Sequence, residues 1–133
     1  MPVVAITSGL RLTPNSIFVT PPGFHLRING VHLFLDSFES WGWPTTLSCF
    51  LDSLAKSVGP PSAAVILSGL GNDGSSGLGA IKSAGGLTLA QSDPQWADMC
   101  DSAVDTGKID FVLNSAGIAD ALAAFGKKAQ EPF

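Results

Sequence analysis

The sequence predicts an α/β domain, with a parallel sheet flanked by helices and a β-hairpin ahead of it. Three observations predict it. Apolar residues make up 45% of the 133 and charged residues 14%, so the chain can build a core and is no disordered tail. From Ala63 onward, strand-length apolar runs alternate with segments of helical period, the pattern of βαβ units. Nearer the start, two alternating apolar runs meet at Asn29-Gly30, a strong hairpin signal because that dipeptide tolerates positive φ.

In chain order, Val3–Ile6 reads as a strand, and Ser8-Gly9 and Thr13-Pro14-Asn15 break it. Ile17–Val19 resumes as strand until Pro21-Pro22-Gly23. In the hairpin, Phe24, Leu26 and Ile28 alternate with His25 and Arg27, then Val31, Leu33 and Leu35 with His32 and Phe34. The segment from Ser37 to Pro44 is irregular and carries Trp41 and Trp43. Leu47, Phe50, Leu51 and Leu54 follow helical spacing within Thr45–Val58, and Gly59-Pro60-Pro61 stops that helix. Ala63–Leu67 is a continuous apolar strand, Ser76–Ala84 a helix, Leu87–Ala90 a strand, and Trp96–Val104 a helix. Ile109–Leu113 completes the strands, Ile118–Phe125 the helices, and Lys127 to Phe133 reads as a frayed end.

A length of 133 residues fits one domain over 1–133 at about 100–200 residues per domain. Lys and Arg number 7 against 11 Asp and Glu, a net charge of -4, which speaks against a nucleic-acid partner because phosphate binding needs a basic face. No apolar run approaches the roughly 18 residues of a membrane helix, so membrane insertion is not expected. The first residues show no basic region ahead of an apolar stretch, and no secretory signal is read there. Cys49 and Cys100 have no metal spacing, with His25 and His32 alone to help them. Neither a disulfide framework nor a metal site is expected, and the cytoplasm is the default compartment.

Chemistry in a parallel sheet belongs at the carboxyl ends of strands. One turn there is unusual: Ser68-Gly69-Leu70-Gly71-Asn72-Asp73-Gly74-Ser75-Ser76-Gly77, with its glycines gathered around a carboxylate. Gly69 to Gly74 spells G-x-G-x-x-G, with Asp93 about twenty residues on, the outline of a dinucleotide fingerprint. Asp73 argues against that reading, since its charge would repel a pyrophosphate at the helix N-terminus. Two roles remain for Asp73. It is either a helix N-cap, which stabilises by about 1 kcal/mol, or an acid that orients a catalytic histidine and stabilises its charged form. Spacing alone leaves both open.

Val65-Ile66-Leu67-Ser68-Gly69-Leu70-Gly71-Asn72-Asp73-Gly74, followed by Gly77-Leu78, Ala80-Ile81-Lys82, Gly85-Gly86 and Leu89-Ala90-Gln91, closely resembles the chemotaxis protein-glutamate methylesterase (CheB) family. Upstream, Pro14-Asn15, Ile17-Phe18-Val19, Pro21-Pro22-Gly23 and His25-Leu26 are similar to its lead into the hairpin, and Ser53-Leu54-Ala55 with Gly59 to the helix that follows. Downstream, Gly107, Ile109-Asp110 and Val112-Leu113 resemble its penultimate strand. The likeness covers essentially the whole chain.

The resemblance implies a parallel α/β domain with a Ser–His–Asp triad that hydrolyses methyl esters on glutamates of chemotaxis receptors, some members also deamidating receptor glutamines. It implies no metal and no organic cofactor. Asp73 takes the place of the triad acid, and Ser68, Gly69, Leu70, Gly71, Asn72, Gly74 and Met99 line the site. The family's nucleophilic Ser and catalytic His fall in a segment preceding the matched part. The sequence is therefore expected to correspond to an incomplete methylesterase-like domain, truncated at its N-terminal side. Ser8 falls in the lead-in, and His25 and His32 on positions other than the catalytic His. Met99-Cys100-Asp101 stands where the family has Met-Pro-Arg, so Asp101 reverses a charge, and Ser48 replaces an Asp.

Two functions follow. One is a methylesterase acting on a methyl-accepting chemotaxis receptor or related signalling protein, with Ser and His drawn from outside these residues. The other is a non-catalytic methylesterase-like binding module of a signalling system. Apolar surface that the missing strands would cover is expected to pair the chain with itself or with another polypeptide along an exposed sheet edge. Trp41 and Trp43 are expected to cover the sheet.

Overall fold

The computed structural model describes residues 1–38, 46–57 and 61–130; Trp41, Trp43 and Gly59-Pro60 lie outside them. Among the described residues, eight strands and four α-helices follow in order: β1 (Val3–Ala5), β2 (Leu10–Arg11), β3 (Ile17–Val19), β4 (Phe24–Asn29), β5 (His32–Ser37), α1 (Thr46–Lys56), β6 (Ala63–Ile66), α2 (Leu78–Ser83), β7 (Leu87–Gln91), α3 (Asp98–Asp105), β8 (Phe111–Leu113) and α4 (Ser115–Gln130). A short 3₁₀ turn over Ser75–Gly77 leads into α2.

The strands form three sheets. β6, β7 and β8 make a parallel sheet in that order, with Ala63 opposite Leu87 and Leu89 opposite Phe111. β1 and β3 form a two-stranded parallel sheet, Val3 opposite Ile17. β2, β5 and β4 are antiparallel. Parallel strands with intervening helices are therefore present as read, and the hairpin β4–β5 stands with them.

The hairpin turn differs by one residue from the sequence reading. Asn29 pairs with His32 and closes the ladder, so Gly30 and Val31 form the loop. Gly30 alone takes positive φ, at 63°, which suits a turn with glycine at its first central position. Leu26 then faces Leu35 and Ile28 faces Leu33.

Element ends moved for local reasons. α4 begins at Ser115, because the Asn114 side chain accepts the Gly117 N–H at 2.9 Å as an N-cap, and it runs on through Gln130, into the segment read as frayed from Lys127. Trp96 precedes α3 instead of opening it. The two-residue β2 is too short to carry a period.

Two apolar clusters hold the elements together. Leu51, Ala64, Ile66, Leu78, Ile81, Cys100 and Ala103 pack between the parallel sheet and α1, α2 and α3. Ile6, Leu26, Ile28 and Leu33 form the second under the hairpin. Leu54 of α1 packs against both, so this helix joins the halves of the molecule. Leu78, Leu89 and Ala103 are fully buried.

Candidate active site

β6 ends at Ile66 and the chain turns through Ser68–Gly74 before α2, which puts the glycine-rich turn at the carboxyl end of the parallel sheet. Two features shape it. Gly74 has φ 97°, a conformation that L side chains rarely adopt. At Gly77 a Cβ would come within 2.7 Å of Leu51 Cβ and 3.1 Å of the Ser48 carbonyl, so α1 crosses the turn closely only because no side chain is there.

Asp73 uses that closeness. One carboxylate oxygen accepts the Leu47 N–H at 3.0 Å and the other the Ser48 N–H at 3.1 Å. Those are donors of the first turn of α1, which have no partner within the helix. In return the Gly74 N–H donates to Ser48 Oγ at 3.0 Å. The exchange is a capping box assembled from two segments 25 residues apart. The N-cap reading of Asp73 thus holds for a different helix: it caps α1, and α2 starts without a side-chain cap. Each carboxylate oxygen keeps lone-pair capacity for a further donor, so the cap and the orientation of a histidine are compatible.

The rest of the turn is clamped to the loop after β7. The Ser68 N–H donates to Gln91 Oε1 at 2.9 Å, and the Trp96 N–H to Ser68 Oγ at 2.8 Å. The Gly69 N–H donates to the Trp96 carbonyl at 3.0 Å, and the Met99 N–H to the Gly69 carbonyl at 3.1 Å. Met99 is half-buried, and its sulfur lies where a side chain on Gly69 would go. Leu70 is exposed. Gly71 and Asn72 line an open cleft of about 500 Å³ with Asp98, Asp101, Ser102 and Asp105 of α3. The structure therefore gathers Ser68, Gly69, Leu70, Gly71, Asn72, Asp73, Gly74 and Met99 in one region.

The other polar candidates sit elsewhere. Ser8 Oγ accepts the Leu35 N–H at 3.1 Å and staples β5. His25 is fully buried in β4, its ring 4.8 Å from that of Phe38. His32 is exposed at the start of β5. Among the described residues no group of three or more His, Cys, Asp or Glu could hold a metal ion, and no helix is long and apolar enough to cross a membrane. Sequence reasoning missed the parts of Ser48 and Gln91. Ser48 was visible as a difference from the resembled family, but its bond to Gly74 depends on α1 crossing the turn.

A parallel sheet flanked by helices, with a clamped carboxylate turn at its carboxyl end, defines an α/β domain of the kind that places its chemistry at the ends of its strands. Residues 1–122 match the family model CheB_methylest, described as CheB methylesterase. The chain belongs to the CheB methylesterase family. It is 42% identical over 125 residues to a protein-glutamate methylesterase/protein-glutamine glutaminase of Moorella thermoacetica, covering 88% of this chain and 30% of that protein. The group 3 operon enzyme of that name from Rhizobium meliloti is 30% identical, with 94% of this chain and 36% of that protein covered. An uncharacterized 104.1 kDa protein of Rhodobacter capsulatus is 36% identical over 115 residues, with 85% of this chain and 12% of that protein covered. The chain thus spans little more than a third of these relatives at most. Among solved structures, the Thermotoga maritima CheB methylesterase catalytic domain superposes with TM-score 0.78 at 28% identity, covering 87% of this chain and 65% of that one.

Proposed function

We propose that this chain carries the acid end of a methylesterase site that hydrolyses methyl esters on glutamates of a chemotaxis receptor in the cytoplasm, glutamine deamidation being the related reaction. The observation that carries the reading is Asp73, pinned through both oxygens at the carboxyl end of the parallel sheet in a chain whose family match runs over residues 1–122. Asp73 would hold a histidine in one tautomer and stabilise its charged form while that histidine takes a proton from a serine hydroxyl. The serine would attack the ester carbonyl, release methanol and leave an acyl-enzyme for water to open. Serine and histidine come from the family segment that precedes the matched part. Ser68, Gly69, Leu70, Gly71, Asn72, Gly74 and Met99 line the site. Neither metal nor organic cofactor takes part.

The test is methanol release from methylated chemoreceptor membranes, with the chain supplied alone and together with that family segment, and with Asp73→Asn beside each. Release that needs the added segment and disappears in Asp73→Asn supports the reading. Release unaffected by Asp73→Asn sinks it.

A second reading is a binding module without chemistry. The observation that favours it is the acidic lining of the cleft, Asp98, Asp101 and Asp105, with Asp101 where the resembled family has Arg. Receptor binding that survives Asp73→Asn, with no methanol released under either condition, selects it.

A further inference from the structure

The glycine-rich turn and the loop clamped to it present large apolar side chains to solvent. Leu67 is 54% exposed, Leu70 69% and Trp96 54%. The main chain of Trp96 is fixed at both ends of its peptide unit. Its N–H donates to Ser68 Oγ at 2.8 Å, and its carbonyl accepts the Gly69 N–H at 3.0 Å. Leu67 and Leu70 directly flank Ser68 and Gly69 in the chain, so these apolar side chains rise from one short stretch of main chain beside Asp73. Single apolar residues on a surface need no explanation, whereas a group of them with a tryptophan marks a contact surface. With its main chain already ordered, Trp96 loses little further freedom when a partner settles on it.

An acidic face borders this rim. Asp98, two residues after Trp96, stands with Asp101 and Asp105 at i, i+3 and i+7 along α3. All three are exposed and line the cleft shared with Gly71 and Asn72. Residues three and four apart on a helix are neighbours, so these like charges oppose one another. Asp105 also lies at the carboxyl end of α3, where a negative charge is disfavoured by the helix dipole. The ion pairs among the described residues are Arg27–Asp36 and Lys82–Asp110, so neither offsets the α3 carboxylates. Nor do acidic groups among the described residues converge so as to hold a metal ion. The charge is spread along a helix face, which suits separate cations carried on one polypeptide.

We infer that the rim of Leu67, Leu70 and Trp96 and the acidic face of α3 together seat a cationic, amphipathic segment of the substrate protein. Its Lys or Arg side chains lie along α3 and a bulky apolar side chain rests on Trp96. Charge complementarity commits the surface to that occupant. A second copy of this chain, with 7 Lys and Arg against 11 Asp and Glu, lacks the needed excess of cations, and a nucleic acid would be repelled. Rim, cleft and Asp73 share one turn, so the residues read are those beside the esterified glutamate. The inference rests on the proposed function for the ester, but the docking itself needs no chemistry.

The probes are labelled synthetic peptides with a central glutamate γ-methyl ester and a leucine beside it, flanked by lysines in one and by glutamates in the other. Fluorescence anisotropy reads their binding to the full 133-residue chain. The lysine peptide is expected to bind about tenfold tighter, a preference that shrinks with added salt. Asp101→Arg combined with Asp105→Lys should abolish that preference. Trp96→Ala should weaken the lysine peptide by about tenfold and keep the preference, because its main-chain bonds to Ser68 and Gly69 remain. Leu70→Ser, at an exposed position where folding is not at stake, should weaken it in the same sense.

Equal affinity for the two peptides overturns the inference, as does a preference that persists after both charge reversals. Affinity undiminished in Trp96→Ala and Leu70→Ser overturns it too, and so does the absence of binding by either peptide. Lysine-peptide binding without methanol release, with the preceding family segment supplied, leaves the docking standing and removes the proposed function. Methanol released equally from two peptides that bind equally keeps the function and overturns the docking.

Discussion

At Asp110 several donors converge on one carboxylate. Lys82 Nζ lies 2.8 Å from Oδ2 and the Thr88 N–H 3.0 Å, while the Lys82 ammonium also donates to the Gly86 carbonyl at 2.9 Å. Burial alone would push the Asp110 carboxyl up, but Lys82 and Thr88 outweigh it and hold the group below its ordinary value. A carboxyl lowered in the folded state adds stability above the unfolded value of about 3.9 and loses it as pH falls through the folded one. Acid titration of stability should therefore show a loss below about pH 4 that is shallower in Lys82→Met; an unchanged profile in that variant would refute the account. Ser75 presents the reverse case. Its hydroxyl is buried among the described residues without a hydrogen-bond partner, so Ser75→Ala should raise stability by about 1 kcal/mol in urea unfolding. At Gly77 the close passage of α1 leaves no room, and Gly77→Ala should cost roughly 1–3 kcal/mol by the same measurement. The effects at Asp110 and Gly77 come from neighbours more than twenty positions away in the sequence, which no local pattern brings together.

Among the elements, α1 is the one whose position the site depends on. Its first-turn donors are satisfied by Asp73, so a substitution there acts on the helix as well as on any chemistry. Asp73→Ala should cost about 0.5–2 kcal/mol, the range for loss of a cap, and Asp73→Asn less because one acceptor remains. No loss in Asp73→Ala would mean that the cap contributes nothing. The practical consequence is that Asp73→Asn, and not Asp73→Ala, separates catalysis from folding. The capping role was legible at Asp73, whereas the helix it caps was not: sequence proximity pointed to α2, and the crossing of α1 over Gly77 decided otherwise. A similar local ambiguity placed the hairpin loop at Asn29-Gly30 instead of Gly30-Val31, since both leave the same side chains inward.

For the molecule as a whole, Leu54 is the residue that ties the two apolar clusters together. Leu54→Ala should destabilise the chain by about 2 kcal/mol, the low end for a leucine because the side chain is half-buried. Calorimetry should still show one transition in the parent chain, and a split or broadened transition in the variant would identify the clusters as separately stable units.

The α/β class, the order of the strands and helices from Ala63 onward, and the turn around Asp73 were all determined by the sequence, because each rests on a period or on a local run of residue types. The resemblance of Val65–Gly74 and its flanks likewise identified the family before any contact was known. Only the tertiary structure decided that Asp73 caps α1, that Ser48 returns the bond, and that Gln91 and Trp96 hold Ser68. Those depend on which segments, far apart in sequence, come to lie side by side, and neither period nor spacing encodes that.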